Sequence, residues 1–412
     1  MKLWRQSFAL AVTVGLVLAG EPKVKLGIDV LRLHNFDILR GKRVGLVTNP
    51  TGMTADMQAT VDILFNAKEV KLVALFGPEH GVRGDFEAGG YIPSYIDQKT
   101  NLPVYSLYSK TRKPSAEMLI GIEILVYDIQ DIGARSYTYI STLGLLMEAA
   151  AENGVTVVVL DRPNPLSGDR VEGPMLEPRY KSFVGAYPIP YVYGMTVGEL
   201  AQMVNGEQWL TNGVRCPLIV VPMDGWKRSM WWEDTGLEWV PTSPHIPHAS
   251  TALFYVLTGL LGELGTVNQG VGYTLPFELV GAPWLDGAAY AKFVNSRGIE
   301  GVYLRPLYYK PFYMDSSGVR YGGAQIHVTD RNRLNITELQ MTILWSLLRI
   351  FPNWNIFDRA KPEKLEMFDK VCGTMEVRRM LTNGSTPEEL LKSFAQSSGP
   401  FLERRKKYLL YD

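Results

Sequence analysis

Three apolar runs of this chain end in dense clusters of ionisable and amide side chains. Val70 to Phe76 runs into Gly77-Pro78-Glu79-His80-Gly81. Ile124 to Tyr127 runs into Asp128-Ile129-Gln130-Asp131-Ile132-Gly133-Ala134-Arg135, and Val155 to Leu160 into Asp161-Arg162-Pro163-Asn164-Pro165. A turn out of a strand needs only small residues and a cap, so these carboxylates, the imidazole and the guanidiniums exceed what folding requires. Glu79 is the sharpest candidate. Pro78 and the glycines at 77 and 81 make its turn stiff, and a carboxyl that moves a proton must sit within about 3 Å of its target oxygen. The competing reading is a helix cap, or an ion pair with Arg83. Asp128 ends a strand and is expected to point into the same crevice. Arg135 could clamp a substrate carboxylate through two parallel hydrogen bonds, or pair internally with Asp131 or Asp128. For Asp161, Arg162 and Asn164, on a loop held by two prolines, ligand binding and satisfaction of loop amides are both open.

These clusters need a scaffold that brings strand ends together, and the pattern supplies one. Strands are expected at Arg43 to Thr48, Val70 to Phe76, Val104 to Leu107, Ile124 to Asp128 and Val155 to Asp161. Helical segments alternate with them at Ala55 to Ala67, Ser115 to Gly121 and Thr142 to Asn153. Such alternation implies a parallel, doubly wound α/β sheet, whose ligands lie outside the carboxyl ends of the strands. Asn49-Pro50-Thr51-Gly52 follows the first strand where a dinucleotide fold would carry Gly-x-Gly-x-x-Gly, so nucleotide binding is not expected. After about Gly168 the alternation fades into a Pro-rich stretch (Pro174, Pro178, Pro188, Pro190). Later signals are a capping box at Thr196-Val197-Gly198-Glu199, a strand at Leu218 to Val221, helices at Thr251 to Leu264 and Asn335 to Ile350, and a helix start at Thr386-Pro387-Glu388-Glu389. The expected division is a Rossmann-like catalytic domain over 21–168 and a mixed α+β domain over 169–412 that completes the cleft.

Composition narrows the partners. Lys+Arg and Asp+Glu balance at 42 each, which leaves no global field to attract nucleic acid. Residues 1–20 combine Lys2 and Arg5, an apolar run from Phe8 to Leu18 and the small-residue site Val17-Leu18-Ala19. This reads as a secretory signal peptide, the apolar run being too short to span a bilayer. A soluble exported protein, periplasmic or extracellular, is therefore expected. Cys216 and Cys372, the two cysteines, could pair in an oxidising compartment or remain separate buried thiols. His245 and His248 have metal-ligand spacing, but Pro247 intervenes and no third ligand is near. No His-Glu-x-x-His, Gly-x-Ser-x-Gly, Ser-x-x-Lys or Cys-x-x-Cys is present. The tryptophans from Trp226 to Trp239 could stack on sugars, although such a stripe is more often core.

Taken in order, the motifs resemble one family, the exo-β-N-acetylmuramidases of the NamZ type (glycoside hydrolase family 171). The resemblance rests on Gly41 to Gly52, Gly-Pro-Glu-His-Gly at 77–81, Leu102-Pro103-Val104-Tyr105-Ser106-Leu107-Tyr108, Asp128 to Tyr139, and Leu160 to Pro165. It continues through Gly194-Met195-Thr196-Val197-Gly198-Glu199-Leu200 and Pro276-Phe277-Glu278-Leu279-Val280-Gly281-Ala282-Pro283-Trp284. It implies an active site in the cleft between a Rossmann-like domain and a C-terminal domain. It further implies cofactor-free release of N-acetylmuramic acid from non-reducing ends of peptidoglycan fragments. The family's glutamate falls on Glu79, the expected general acid/base, with His80 and Asp128 as catalytic neighbours. Asn49, Asp131, Arg135, Tyr137, Asp161, Arg162, Asn164 and Tyr193 are the expected substrate-binding positions. The chain departs from the family's pattern at Tyr193 (usually histidine), at His245 in Ser243-Pro244-His245-Ile246-Pro247 (commonly asparagine), and at Gly270-Val271-Gly272-Tyr273-Thr274, which lacks an arginine.

A β-glycosidase needs a proton donor to the leaving oxygen and a means of meeting an oxocarbenium-like charge. Glu79 fills the first role. Asp128, Tyr137 and the substrate's own acetamido group are all open for the second. A catalytically altered binder of cell-wall fragments is the runner-up, and an esterase or deacetylase on the same scaffold is third.

Overall fold

The computed structural model describes residues 23–84, 93–108, 111–313 and 317–412. The expected signal peptide lies outside the described residues, as do residues 85–92 of the Gly-rich loop that follows Gly81. Twelve strands are present among the described residues. They are β1 (Arg43–Thr48), β2 (Lys71–Gly77), β3 (Tyr95–Ile96), β4 (Pro103–Ser106), β5 (Ile124–Asp128), β6 (Thr156–Leu160), β7 (Glu172–Met175), β8 (Pro190–Val192), β9 (Leu218–Val221), β10 (Leu279–Ala282), β11 (Val302–Tyr309) and β12 (Tyr321–Val328).

Seven of them form one sheet in the order β3-β4-β2-β1-β5-β6-β9. Every pair is parallel except the edge pair β3–β4. Because successive side chains alternate faces, a strand buried on both sides must be apolar throughout. Leu125, Tyr127, Val157 and Val159 pack on one face beneath the helices Tyr139–Asn153 and Val197–Gly206. Ile124, Val126, Val158 and Leu160 pack on the other beneath Gly27–Leu33 and Thr60–Asn66. The result is the doubly wound layering expected from the alternation. The chain order reverses between β1 and β5, which makes their carboxyl ends the topological switch point.

The second domain is a three-stranded antiparallel sheet, β10-β12-β11, with the helices Ala249–Leu264, Gly287–Asn295, Ile336–Ile350, Pro362–Cys372 and Pro387–Arg405. Its core also takes in Ile132, Ala134, Leu166, Tyr191 and Val192 from the first half of the chain. Apolar packing therefore runs unbroken across the domain junction.

The boundary expected at residue 168 is corrected by the sheet. β9 adds to the central sheet next to β6, and the helix Val197–Gly206 is the crossover between them. The Pro-rich stretch that suggested a linker is instead the excursion forming the β7–β8 pair. The changeover to the second domain comes near residue 250. The capping box at Thr196 is formed, with Thr196 Oγ1 accepting from the Glu199 amide and Glu199 accepting from the Thr196 amide; the Thr386 start forms the same motif. The last residues return to the first domain. Tyr411 donates to Asp161 Oδ2 at 2.6 Å and accepts from the Met223 amide at 2.9 Å, with its ring edge-on to Trp226. Cys216 and Cys372 are both buried and unpaired. Trp226, Trp231 and Trp232 are core residues. No helix among the described residues is long and apolar enough to cross a membrane.

Candidate active site

Glu79 is positioned by its turn. β2 ends at Gly77, and the Gly81 amide donates to the Pro78 carbonyl at 3.0 Å, which leaves Glu79 and His80 as the central residues of a β-turn. His80 sits at φ +73°, a place such turns ordinarily give to glycine or asparagine. A side chain at Gly77 would come within 3.1–3.3 Å of the backbone at Gly81 and Val82, so the turn folds tightly over the strand end. β4 lies beside β2 with Ser106 level with Gly77. Two residues further along each strand, Tyr108 and Glu79 meet, and the Tyr108 phenol hydrogen-bonds the carboxyl. Burial first, then that carboxylate, push the phenol pKa up to about 12, so Tyr108 keeps its proton.

Glu79 and His80 open onto a cavity of about 230 Å³, the size of a single sugar residue rather than a chain. Ser136 to Tyr139, leading into the helix Tyr139–Asn153, form one side. Ser243 to Ile246, Tyr255 of the helix Ala249–Leu264 and Phe277 form the other. The cavity therefore lies at the domain junction. The walls are tied together by hydrogen bonds. Tyr137 donates to Thr242 Oγ1 at 2.8 Å and Tyr139 to the Thr242 carbonyl at 2.7 Å. Ser136 Oγ lies 3.1 Å from the Tyr255 hydroxyl and 3.3 Å from that of Tyr191. Burial raises the Tyr137 phenol well above its ordinary range. Phe277 holds a left-handed backbone at φ +66°, with its carbonyl fixed by Thr258 Oγ1 at 2.7 Å. Strained residues thus stand on both walls, and such strain concentrates at functional sites.

Of the residues expected to bind or act on substrate, Glu79, His80 and Tyr137 line this cavity; the others are placed elsewhere. Asp128 is fully buried. It receives Arg162 Nε at 2.6 Å and Nη2 at 2.9 Å, and Thr60 Oγ1 at 2.6 Å. This corrects both expectations: carboxylate and guanidinium close on each other and plug the switch-point crevice. The void left there, near Thr51, Met53 and Gln130, is about 20 Å³, room for about one water. Arg135 is also corrected. Its guanidinium donates to four carbonyls, Pro174 and Ile189 at 2.7 Å, Val371 at 3.0 Å and Cys372 at 2.7 Å, and burial pulls its pKa down to about 10.

Asp161 accepts from Tyr411, from Thr196 Oγ1 and from the amides of Gly198 and Arg162, so it anchors the start of a helix and the chain terminus. Asn164 bonds the Met195 carbonyl and the Leu166 amide. Asn49 Oδ1 closes its own turn on Thr51. Tyr193 donates to Asp131 Oδ1 at 2.5 Å, beside the Gly133 amide at 2.8 Å. These side chains hold turns and a helix start of the framework and do not line the cavity. Thr242 and Tyr255 carry no motif that marks them in the sequence. Tyr108 and Phe277 lie within motifs that carry the family resemblance, but nothing there singles either out as a site residue; Tyr108 also matches Glu79 in distance from an adjacent strand end. Among the described residues, no group of three or more His, Cys, Asp or Glu is arranged to hold a metal.

Two outcomes follow from these placements. Removing one member of a buried ion pair leaves the other charge uncompensated, at about 3–5 kcal/mol. Asp128→Ala is expected to lose that much stability in urea denaturation, and Asp128→Leu with Arg162→Met to recover most of it. An Asp128→Ala protein of unchanged stability that has lost turnover would return Asp128 to catalysis. The second outcome concerns Asp131, whose pKa burial raises from 3.8 to about 6 despite the Tyr193 hydrogen bond. A folded pKa above the unfolded one means that folding holds the proton. The stability this confers is full below about pH 4 and lost as pH rises through 6. Asp131→Asn should therefore gain on the wild type in denaturation midpoint between pH 4.5 and 7; the opposite trend would mean an ionised, stabilising Asp131.

Comparison with known proteins agrees with this architecture. Residues 44–250 match the family described as "Exo-beta-N-acetylmuramidase NamZ, N-terminal" and residues 253–411 the corresponding "C-terminal" family, with the changeover where the sheet puts it. The peptidoglycan beta-N-acetylmuramidase NamZ of Bacillus subtilis (strain 168) is 43% identical over 393 residues, 95% of this chain and 92% of that protein. Two crystal structures of DUF1343 family proteins from Bacteroides fragilis are similar throughout. One has a TM-score of 0.90 at 47% identity, covering 95% of this chain and all of the other. The second has 0.77 at 32%, covering 94% and 99%. With both halves matched in order and the likeness running the length of the fold, the chain belongs to the NamZ family of exo-β-N-acetylmuramidases.

Proposed function

We propose that this chain is an exo-acting glycoside hydrolase that releases N-acetylmuramic acid from the non-reducing ends of peptidoglycan fragments, with Glu79 as general acid/base. The observation that carries this reading is a cavity for one sugar with a single carboxyl in its described lining, held on a stiff turn. A one-sugar cavity suits removal of a terminal residue. The name of the Bacillus subtilis relative supports peptidoglycan as the source of substrate, and the basic, then apolar residues 1–20 support export to where that polymer lies.

Glu79 protonates the glycosidic oxygen as the bond from C1 to that oxygen breaks. The positive charge developing at C1 needs a partner. Asp128 is closed off by Arg162 and Thr60. Tyr137 is a poor nucleophile because burial holds its phenol protonated and Thr242 engages it. The substrate's 2-acetamido oxygen remains: it bonds to C1, giving a cyclic oxazolinium, and water then opens the ring as the Glu79 carboxylate takes the water's proton. The Tyr108 hydroxyl hydrogen-bonds the Glu79 carboxyl and fixes its orientation.

Incubation with a muramic-acid-terminated disaccharide, followed by mass spectrometry, is expected to show the free monosaccharide. Loss of acetyl or lactyl alone would point to another hydrolase class, and binding without turnover to a sugar-binding relative. Glu79→Gln keeps the shape but cannot deliver a proton. Turnover should fall by about 10²–10⁴-fold with the melting temperature and substrate affinity near wild type; an unchanged kcat would remove Glu79 from the mechanism. Participation by the acetamido group is tested on the substrate. Mono-, di- and trifluoroacetamido analogues carry progressively less nucleophilic oxygens, so kcat should fall steeply along the series, and a flat series would transfer the role to a protein group.

A further inference from the structure

N-acetylmuramic acid differs from N-acetylglucosamine by an O-lactyl group that ends in a carboxylate, and a pocket selecting the former needs a partner for that charge. The arginines near the site in sequence are engaged elsewhere: Arg83 on Asp97 and Asp62, Arg112 over the Phe183 ring, Arg135 on four carbonyls, and Arg162 on Asp128 and the Met53 carbonyl. Among the described lining residues, His80 and His245 are the side chains that can become cationic. They reach the cavity from opposite walls, His80 from the turn after β2 and His245 from the segment before the helix Ala249–Leu264. Each is held in place. His80 keeps an unfavourable left-handed backbone, a conformation that persists only where the surroundings impose it. His245 is stacked on Tyr313, with ring centroids 6.2 Å apart and planes at 14°.

We propose that His80 and His245 form the subsite that reads the lactyl carboxylate of N-acetylmuramic acid. This rests on the muramidase reading above and adds to it the residues that set specificity. The groups facing the pair are few. Glu79 adjoins His80, and the phenols of Tyr137, Tyr139 and Tyr255 come from the turn and the helix. Burial holds these three phenols protonated, so they add hydrogen bonds without negative charge. Burial, then the neighbouring His80 imidazole, lower the pKa of His245, which opposes its protonation. A bound carboxylate reverses that balance, and a proton enters with the anion. Affinity for the acid sugar is then highest where the carboxylate is ionised and the imidazole protonated, and it declines as rising pH takes the proton from the imidazole in the complex.

The test compares a muramoyl glycoside with the same glycoside carrying its lactyl group as the neutral amide, in wild type, His245→Asn and His245→Phe. The wild type should favour the acid by about ten- to a hundredfold in kcat/KM, through KM, with KM for the acid rising between pH 6 and 8 and KM for the amide flat. His245→Asn should lose most of that preference and flatten the pH profile, its loss in kcat/KM on the acid exceeding its loss on the amide by about ten- to a hundredfold. Equal losses on both substrates, or an unaltered pH profile in the variant, would overturn the proposal and leave the hydrolase reading intact. If neither glycoside is hydrolysed, the hydrolase reading fails. Calorimetry of wild type with free N-acetylmuramic acid and its amide, in buffers of different ionisation enthalpy, then decides the subsite alone: proton uptake with the acid only supports it, and none overturns it.

Discussion

The guanidinium of Arg135 is the contact on which the site's geometry rests. It emerges from the loop after β5 and donates to carbonyls of β7, of the residue preceding β8, and of the last turn of the helix Pro362–Cys372. That helix end carries unsatisfied carbonyls and partial negative charge, so a cation is a fitting partner there. One side chain thus fastens a loop of the first domain to the excursion that leaves it and to the second domain. Tyr137 lies two residues further along the same loop and Tyr139 opens the helix that follows it, and the position of one cavity wall follows from where Arg135 is held. Apolar contacts of Ile132, Ala134, Tyr191 and Val192 with the second-domain core reinforce the junction.

Most charges near the strand ends serve this framework. Arg162 and Asp128 fill the crevice that an open α/β sheet ordinarily offers to ligands, and Asp161 gathers a helix start and the chain terminus. With the switch point closed, the accessible space shifts towards β2, where the second domain stands opposite the Glu79 turn. Burial raises the pKa of both Asp131 and Asp161 to about 6. The framework therefore carries carboxyls whose ionisation is costly, each held by a phenol and backbone amides. Such groups specify geometry more than they add stability.

The cavity itself combines one carboxyl with phenols and imidazoles, on walls that include two non-glycine residues in left-handed backbone. The role proposed for Glu79 requires a constant distance to the leaving oxygen, and the closed turn, the adjacent strand with Tyr108 and the Thr242 hydrogen bonds all limit movement of the walls. The tie between Ser136, Tyr191 and Tyr255 spans the junction, so relative movement of the domains would alter both walls together.

The alternation of strands and helices over residues 43–161, the doubly wound class and the tight turn at Gly77 to Gly81 are legible in the sequence, because alternation, caps and a stiff turn are local properties. Both capping boxes formed where the residue spacing put them. The domain boundary was not legible: a Pro-rich segment reads the same whether it links domains or makes an excursion, and only pairing of β9 with β6 decides. Nor was the division of the charged clusters into site and framework. Asp128 and Glu79 both follow apolar strands, yet one meets a guanidinium and a threonine hydroxyl in the interior while the other meets the Tyr108 phenol at the edge of a cavity. A side chain's type and its place on a strand set what chemistry it can do; which partner reaches it first is a long-range contact that tertiary packing alone determines.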